Sequence, residues 1–298
     1  MIREYFIWLL KFLTVIVVIF VGAPLILALV GSVLERGTDL KTSSDRIVGV
    51  VELTGEIFDV KEVVQRLHDQ VKSSNITAVV LRIDSPGGAV GPSQEIYEAV
   101  KTLRQKKPIV ASMGMVAASG GLYAALPASK IFANPGTMTG SIGVVGQFPN
   151  FTGLTEKAGV SMITVKSGSM KDIGNPFRPF TEEDRAYLQD MLKGVHQQFI
   201  TAVAESRNMT VEKVSTFADG RVLTGEQALN LGLIDELGSV YEAAGEALAL
   251  AGKPLAEGEL PTLSYAEDQL SKIRRLLTET SRAIGQFIPS TQIRFVAF

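Results

Sequence analysis

The chain has 298 residues, of which 46% are hydrophobic and 20% are charged, and its formal net charge is −2. This length allows one large domain or two small ones, and the weak negative charge, without any basic cluster, argues against binding to nucleic acid. The absence of cysteine and the presence of only two histidines exclude disulfides and thiol catalysis and disfavour a zinc site. We therefore expect no metal and no cofactor.

The first predicted element is a membrane anchor. Residues 12–34 contain no charged side chain, and a helix of this length crosses the roughly 30 Å hydrocarbon layer of a bilayer. A cleaved signal peptide is disfavoured, because its apolar core is shorter and is followed by a cleavage site of small residues. Arg3 and Lys11 precede the stretch, which favours a cytoplasmic segment 1–11 and a single pass through the cell (inner) membrane. The polar residues 35–46 are predicted to tether an extracytoplasmic domain.

From residue 47 on, strand-like and helix-like patterns alternate, which predicts an α/β domain with a mostly parallel sheet covered by helices. Strands are predicted over residues 47–53, 78–83, 109–113, 131–133 and 142–145. Helices are predicted over residues 60–71 and 92–105, directly after Ser119, from Thr181 as the N-cap, and from Val222 to Gly232.

We assign residues 47–255 to this domain and residues 256–298 to a C-terminal region. Within that region, residues 265–287 have the apolar spacing of a helix, and residues 293–298 are apolar and strand-prone. An apolar helix and tail of this kind are expected to pack on this protein or on a neighbouring copy, so we predict that the region makes oligomer contacts.

Residues 115–123, MVAASGGLY, place Ser119 among side chains that are too small to shield it. The serine follows an apolar strand-like run and begins an alanine-rich helix-like run, so its hydroxyl can project from a tight turn. Amides at the start of a helix can hold negative charge beside it. The same pattern also occurs in α/β proteins without a catalytic serine, and the assignment therefore depends on finding a base and an oxyanion hole.

A serine nucleophile needs a group that accepts its proton. His68 and His196 both lie in amphipathic helix patterns, where a histidine is usually an ordinary surface or half-buried residue, and a Ser-His-Asp triad is therefore disfavoured. The alternative base is a lysine whose amine is neutral because it is desolvated. Lys171 is the first candidate, in a loop rich in glycine, serine, asparagine and proline, and Lys166 in the same loop is its competitor.

The candidate oxyanion hole is the turn at residues 85–88, SPGG, directly after a predicted buried strand. Its glycines allow backbone N–H groups to approach a reacting carbonyl closely. A turn that merely needs a positive φ would have the same composition. A phosphate-binding loop is excluded, because the terminal Lys-Ser/Thr pair is missing.

Five motifs in consistent order resemble the signal peptide peptidases of the SppA type, which are membrane-anchored serine peptidases with a Ser-Lys dyad on a ClpP/crotonase-like fold. The motifs are RIDSPGG (82–88), AASGGLY (117–123), TGSIGV (139–144), KDIG (171–174) and GRVLTG running into GLIDELG (220–238). The resemblance implies a repeated ββα superhelix and identifies residues 47–255 as the Ser-Lys peptidase domain.

The resemblance also implies the roles of individual residues. Ser119 is expected to be the nucleophile and Lys171 the general base. Ser141 matches the family serine that orients the lysine amine, although a turn serine between glycines would have the same sequence. The expected oxyanion hole consists of Gly88 and Gly120, with Gly87 as their neighbour.

Members of this family occur as double-length chains, in which the serine and the lysine come from different halves, and as half-length chains like this one. A half-length chain with both residues implies a ring-like homo-oligomer in which Ser119 meets Lys171 of a neighbour. The implied function is a membrane-anchored serine endopeptidase that degrades released signal peptides and other apolar, extended peptides. Two alternatives stay open, an acyl-CoA-acting crotonase-like enzyme and a non-catalytic membrane scaffold.

Overall fold

The computed structural model describes residues 11–12 and 46–266, and the chain divides into two units after Asp45. The predicted anchor and tether lie outside the described residues, apart from Phe12 and Arg46 at their limits, and so does the C-terminal region beyond residue 266. In the part of the chain that is described, no helix combines the length and the apolar character needed to span a bilayer.

Eight strands within residues 46–266 form one sheet in the order β6-β5-β3-β2-β1-β8, and β4 joins β3 to β7 beside this path. The pairs are parallel except β5 with β6, which is antiparallel. The strands are β1 (Ile47–Thr54), β2 (Ala78–Ser85), β3 (Ile109–Ala117), β4 (Ile131–Ala133), β5 (Met138–Gly140), β6 (Val222–Thr224), β7 (Glu236–Leu237) and β8 (Thr262–Tyr265). The predicted α/β class is therefore observed, with a mixed sheet.

Helices connect most of these strands, and their ends follow local sequence signals. Thr181 caps the longest helix through a reciprocal pair of bonds with Asp184, and Gly232 ends another helix in the left-handed conformation. The helices are α1 (Lys61–Lys72), α2 (Val90–Leu103), α3 (Gly120–Ala125), α4 (Thr152–Ala158), α5 (Glu182–Arg207), α6 (Val211–Ser215), α7 (Gly225–Leu231) and α8 (Val240–Leu250).

The central strands are buried on both faces, which explains why they read as nearly continuous apolar runs. On one face, Leu67 of α1, Ile96 of α2 and Val203 of α5 pack with the large core cluster. The other face is covered by α8, whose buried side chains contact Val48, Val80 and other strand residues. The buried residues of α8 are Ala243, Ala244, Ala247 and Leu248.

Several predicted boundaries are wrong. The strand predicted over residues 109–113 runs on to Ala117 as β3. Residues 142–145 form no strand, and the strand at this place is β5, which ends at Gly140 because Gly140 and Ser141 both adopt positive φ. The helix predicted from Val222 begins only at Gly225, after β6. Tyr265, predicted to start the final helix, ends β8, which pairs with β1 and extends the sheet past residue 255.

The packing of α8 on the sheet gives a prediction for stability. Leu248 is fully buried, so Leu248→Ala should lower the free energy of unfolding by about 2–5 kcal/mol through lost burial and a residual cavity. Leu250→Ala is the matched control on the same helix, because Leu250 is 44% exposed, and its effect should stay within about 0.5 kcal/mol. Urea denaturation of the two variants measures the difference, and equal losses would contradict this account of the core.

Candidate active site

Ser119 lies in a strained turn between β3 and α3. Its φ is 52° and its ψ is −120°, a conformation that is uncommon for a residue with a side chain and that is often found at functional sites. Hydrogen bonds hold the turn on both sides, because the Ser119 amide donates to the Gly140 carbonyl at 2.9 Å and the Ser119 carbonyl accepts from Tyr123 at 2.9 Å. The predicted strand-to-helix turn is thus present at Ser119.

The glycine loop after β2 packs directly against this turn. Gly87 has a φ of 103°, and a Cβ atom built on it would lie 2.7 Å from the Gly120 nitrogen and 2.8 Å from the Ser119 Cβ. A Cβ atom built on Gly120 would lie 3.3 Å from the Gly88 nitrogen. Only glycine fits this approach, and the structure therefore brings the amides of Gly88 and Gly120 close together beside Ser119.

Both amides are available to an acceptor. The loop pairs with Ile57 through the Gly87 carbonyl (3.0 Å) and the Ala89 amide (2.8 Å), and this bridge does not use the Gly88 amide. Among the hydrogen bonds of residues 46–266, none is donated by Gly88 or Gly120, and none involves the Ser119 hydroxyl. Two N–H groups without an acceptor beside a serine hydroxyl are the groups that an oxyanion hole requires.

Ser141 reaches the same groove from the end of β5. It also adopts a positive φ, 52°, and its amide donates to the Arg221 carbonyl at 2.8 Å. The pairing of β5 with β3, strengthened by a 2.7 Å bond from the Thr139 hydroxyl to the Ala117 carbonyl, sets its position. Ser119 and Ser141 therefore line one groove.

An apolar pocket adjoins Ser119. Its aromatic lining is formed by Tyr123 and Phe199, whose tilted rings lie 5.0 Å apart between centroids. The Tyr123 ring also lies 5.1 Å from the ring of Tyr97. Burial raises the pKa of Tyr123 above its usual value, which keeps its hydroxyl neutral. The apolar side chains that line the pocket are Val90, Val144, Val195 and Phe199.

His196 is a groove residue that sequence reasoning did not assign to the site. It is half-buried on α5, as expected for a helical histidine, but it faces the groove that contains Ser119. Its Nε2 is buried and has no hydrogen-bond partner among the described residues. The signal available in the sequence was its position beside Val195 and one helical turn before Phe199, both on the predicted buried face.

The titratable side chains that line the groove and the adjoining pocket are Tyr123, His196 and Asp219. Asp219 is a poor proton acceptor, because its hydrogen bonds with Arg221 lower the pKa of its carboxyl to about 2. No lysine of residues 46–266 lines either space. Within residues 46–266, the structure therefore places His196 and no lysine in the groove, and His196 is the competitor of a lysine base.

Lys171 lies on an exposed 3₁₀ turn, Ser169–Asp172, and lines neither the groove nor the pocket. Within the described residues its Nζ makes no hydrogen bond or ion pair. The competing Lys166 is occupied, since its Nζ bonds the Asp172 carboxylate at 2.7 Å and the Ser169 carbonyl at 2.8 Å. The Lys166 amine is thus engaged by two acceptors of its own loop, which favours Lys171.

A cluster of charged groups surrounds this turn. The Arg178 guanidinium bonds the carboxylates of both Asp172 and Asp184, and the side chains of these acids are only 8% and 3% exposed. Hydrogen bonds from Arg178 are the main reason why the pKa of each of these two carboxyls lies below its usual range. No group of histidines and acids within the described residues could hold a metal ion.

The sequence matches two peptidase families, Peptidase family S49 over residues 101–253 and Clp protease over residues 42–139. A Synechocystis sp. protein provisionally named a protease is 44% identical over 237 residues, covering 79% of this chain and 84% of that protein. A protein of Enterococcus faecium provisionally named signal peptide peptidase SppA is 35% identical, covering 70% of this chain and 63% of that protein.

A third similar protein is serine protease SPPA, chloroplastic, of Arabidopsis thaliana. It is 35% identical over 214 residues, which cover 72% of this chain but only 32% of that protein. The chain therefore spans most of the Synechocystis protein and less than two thirds of the other two.

The tight packing at Gly120 gives a prediction for activity. Gly120→Ala places a Cβ atom 2.3 Å from the Ser93 hydroxyl oxygen, and the shift needed to relieve this contact should displace the Gly120 amide. We expect kcat to fall by about 10- to 100-fold, since removal of one oxyanion donor costs about 10²–10³-fold. The measurement is turnover of a fluorogenic peptide.

Two further variants check the cause of that loss. Adding Ser93→Ala to Gly120→Ala leaves 3.3 Å as the closest contact and should restore part of kcat. Gly91→Ala is the control, because its Cβ meets nothing within 4 Å. If Gly120→Ala keeps full kcat, the Gly120 amide is not an oxyanion donor.

The charged cluster gives a prediction for pH dependence. Because the pKa of Asp184 is lower in the folded protein than its usual 3.8, its carboxylate stabilises the fold above pH 3.8, and this contribution is lost as the pH falls further. Asp184→Asn should therefore lower the melting temperature at pH 7, and the difference from wild type should shrink between pH 4 and pH 2.

Thermal unfolding across this pH range tests the effect of Asp184. Glu182→Gln is the control in the same helical turn, since Glu182 is 91% exposed and its contact with Arg185 is 3.6 Å long. Its melting temperature should follow wild type at every pH. A difference between Asp184→Asn and wild type that grows in acid would contradict the assignment.

Proposed function

The chain belongs to peptidase family S49 and is a serine protease of the SppA type, and from this premise we propose that it is a membrane-anchored endopeptidase with Ser119 as nucleophile and Lys171 as general base. The observation that carries the proposal is the strained Ser119 turn, which lies in an open groove beside the Gly88 and Gly120 amides. Neither amide donates a hydrogen bond within residues 46–266. The non-catalytic scaffold and the acyl-CoA enzyme have no comparable support.

In the proposed reaction the Ser119 hydroxyl attacks the carbonyl carbon of a peptide bond while the base accepts its proton. The oxygen of the tetrahedral intermediate becomes negative and accepts hydrogen bonds from the Gly88 and Gly120 amides, each worth about 2.7–4 kcal/mol in comparable sites. The C–N bond then breaks as the base gives its proton to the leaving amine. Water attacks the acyl-enzyme ester while the base accepts a proton from it, and the ester bond breaks as that proton returns to the Ser119 oxygen.

The proposed base comes from a neighbouring protomer. A lysine accepts a proton only in its neutral form, which burial favours, and the exposed Lys171 finds no such burial in its own protomer. Docked into a neighbour's groove, its amine would lie beside Ser141, whose hydroxyl could orient it. The protein would therefore be active only as a homo-oligomer, in which each groove is completed by the next subunit.

Exposed apolar side chains support such an assembly. The segment between α3 and α5 carries several that are more than half exposed, and we expect exposed apolar side chains gathered in one segment to be covered at an interface. Val145, Ile163 and Val165 are 80%, 88% and 92% exposed. The others in the segment are Leu154, Val160 and Met162.

The proposed substrates are released signal peptides and other apolar, extended peptides. The pocket beside Ser119 is lined by aliphatic and aromatic side chains, which would accept an apolar side chain next to the scissile bond. An anchor at residues 12–34 would hold the extracytoplasmic groove near the bilayer, where signal peptides are released.

The expected test is complementation between two inactive variants. Ser119→Ala and Lys171→Ala should each abolish hydrolysis of a labelled signal peptide with little change in melting temperature. Co-expression of the two should restore about one quarter of wild-type activity, because in a randomly mixed ring of equivalent interfaces that fraction of sites joins an intact serine to an intact lysine. Activity per oligomer is measured after purification through two different tags.

Two histidine variants and one lysine variant serve as controls. His68→Ala and His196→Ala should keep their turnover if a lysine is the base, whereas loss of turnover in His196→Ala would favour the histidine of the same protomer. Near-normal turnover of Lys171→Ala with an inactive Lys166→Ala would show that the base is misassigned. No complementation in verified mixed oligomers would place the whole dyad within one protomer.

A further inference from the structure

Asp172 follows Lys171 directly, and its side chain makes the contacts that hold the exposed turn in place. Its carboxylate accepts bonds from the Lys166 Nζ at 2.7 Å and from the Arg178 Nε at 2.9 Å. A further bond joins the Arg178 Nη2 to Asp172 Oδ1 at 3.2 Å. The backbone beside Lys171 is thus held by its neighbour in the chain, although the Lys171 amine itself has no bond within the described residues.

Arg178 connects this turn to α5. Its Nη2 bonds Asp184 Oδ1 at 2.9 Å and its Nη1 bonds Asp184 Oδ2. Asp184 is in turn fixed at the start of α5 by reciprocal bonds with Thr181, at 3.0 and 3.1 Å. One guanidinium therefore holds two nearly buried carboxylates, one next to Lys171 and one on a 26-residue helix.

The need for such a connection follows from the chemistry of lysine. The side chain has a flexible four-carbon stem, and a displacement of about 1 Å in a reacting group can cost about 10²-fold in rate. A fixed backbone removes one source of that displacement. Resting on the proposed role of Lys171, we propose that Arg178 is a positioning residue, which holds Asp172 against α5 so that Lys171 is presented to the reacting serine.

Lysine cannot replace arginine in this role. The planar guanidinium bonds two carboxylates at once, whereas an ammonium is a point charge without a fixed fork. Arg178→Lys keeps the positive charge between the two acids, so the fold is retained, but it should lower kcat by about 10-fold with KM within about 2-fold of wild type. Arg178→Gln should lower kcat by about 100-fold.

The matched control is Arg185, which lies at the same end of α5. Its side chain is 62% exposed, and its ion pair is with Glu182 rather than with the Lys171 turn. Arg185→Gln should keep the wild-type kcat. A double-mutant cycle gives a second check, because Arg178→Gln combined with Asp172→Asn should lose no more kcat than the worse single variant if Arg178 acts through Asp172.

Mixed oligomers of the full chain separate positioning from a merely structural role. Arg178→Gln is added either to the Ser119→Ala chain, which supplies Lys171, or to the Lys171→Ala chain, which supplies Ser119. The recovered activity should be lost in the first mixture and retained in the second. Equal loss in both mixtures, or an unchanged kcat in homogeneous Arg178→Gln, would overturn the proposal.

The outcome for Lys171→Ala distinguishes this proposal from the proposed function. If Lys171→Ala is active, the proposed base is wrong, and the role of Arg178 falls with it. If Lys171→Ala is inactive while both Arg178 variants keep their kcat, only the positioning role fails. If no mixture is active, the dyad lies within one protomer. The kcat values of the homogeneous variants and the double-mutant cycle then decide whether Arg178 positions Lys171.

Discussion

A Cβ atom on Gly87 would stand within 3 Å of the Gly120 amide, the Ser119 Cβ and the Ala118 carbonyl oxygen. This close approach of two backbones depends on the parallel pairing of β2 and β3, in which Ser85 lies opposite Ala117 at the same edge of the sheet. The loop after one strand and the turn after the next are therefore forced together. The proposed oxyanion hole results from this contact, because each loop contributes one amide.

The same contact explains how a strained serine persists. Ser119 keeps its positive φ because hydrogen bonds hold the backbone before and after it, including the bond from the Ala118 amide to the Ser85 carbonyl at 3.1 Å. The central strands are buried on both faces of the sheet, so the turn is attached to rigid strands. A substitution that loosens the sheet should therefore affect the geometry at Ser119 before it unfolds the protein.

The two halves of the proposed dyad are held by different kinds of interaction. Ser119 is supported by close backbone packing over the apolar core, whereas Lys171 stands on an exposed turn that is fixed by ion pairs through Asp172 and Arg178. An exposed turn anchored by charges can enter a neighbouring groove, which a buried residue cannot do. The proposed sharing of the site between protomers requires this difference, because the lysine must be exposed to reach the serine of a neighbour.

Sequence by itself determined much of this protein. The α/β alternation, most strand and helix positions, the turn at Ser119 and the glycine loop at residues 85–88 could all be predicted, because each depends on local patterns of apolar residues, glycine and capping side chains. The resemblance to SppA-type peptidases, carried by short motifs, is confirmed by the match to family S49 and by the similar proteins. The roles of Ser119, Lys171, Gly88, Gly120, Gly87 and Ser141 stay predictions.

Tertiary structure decided what depends on residues distant in the chain. The length of β3 and the end of β5 at Gly140 depend on strand pairing and positive φ, and the addition of β8 to the sheet depends on pairing with β1. The position of His196 in the groove also arises only when α5 packs in place. Local propensity carries no information on such contacts, because the partners are brought together by the fold.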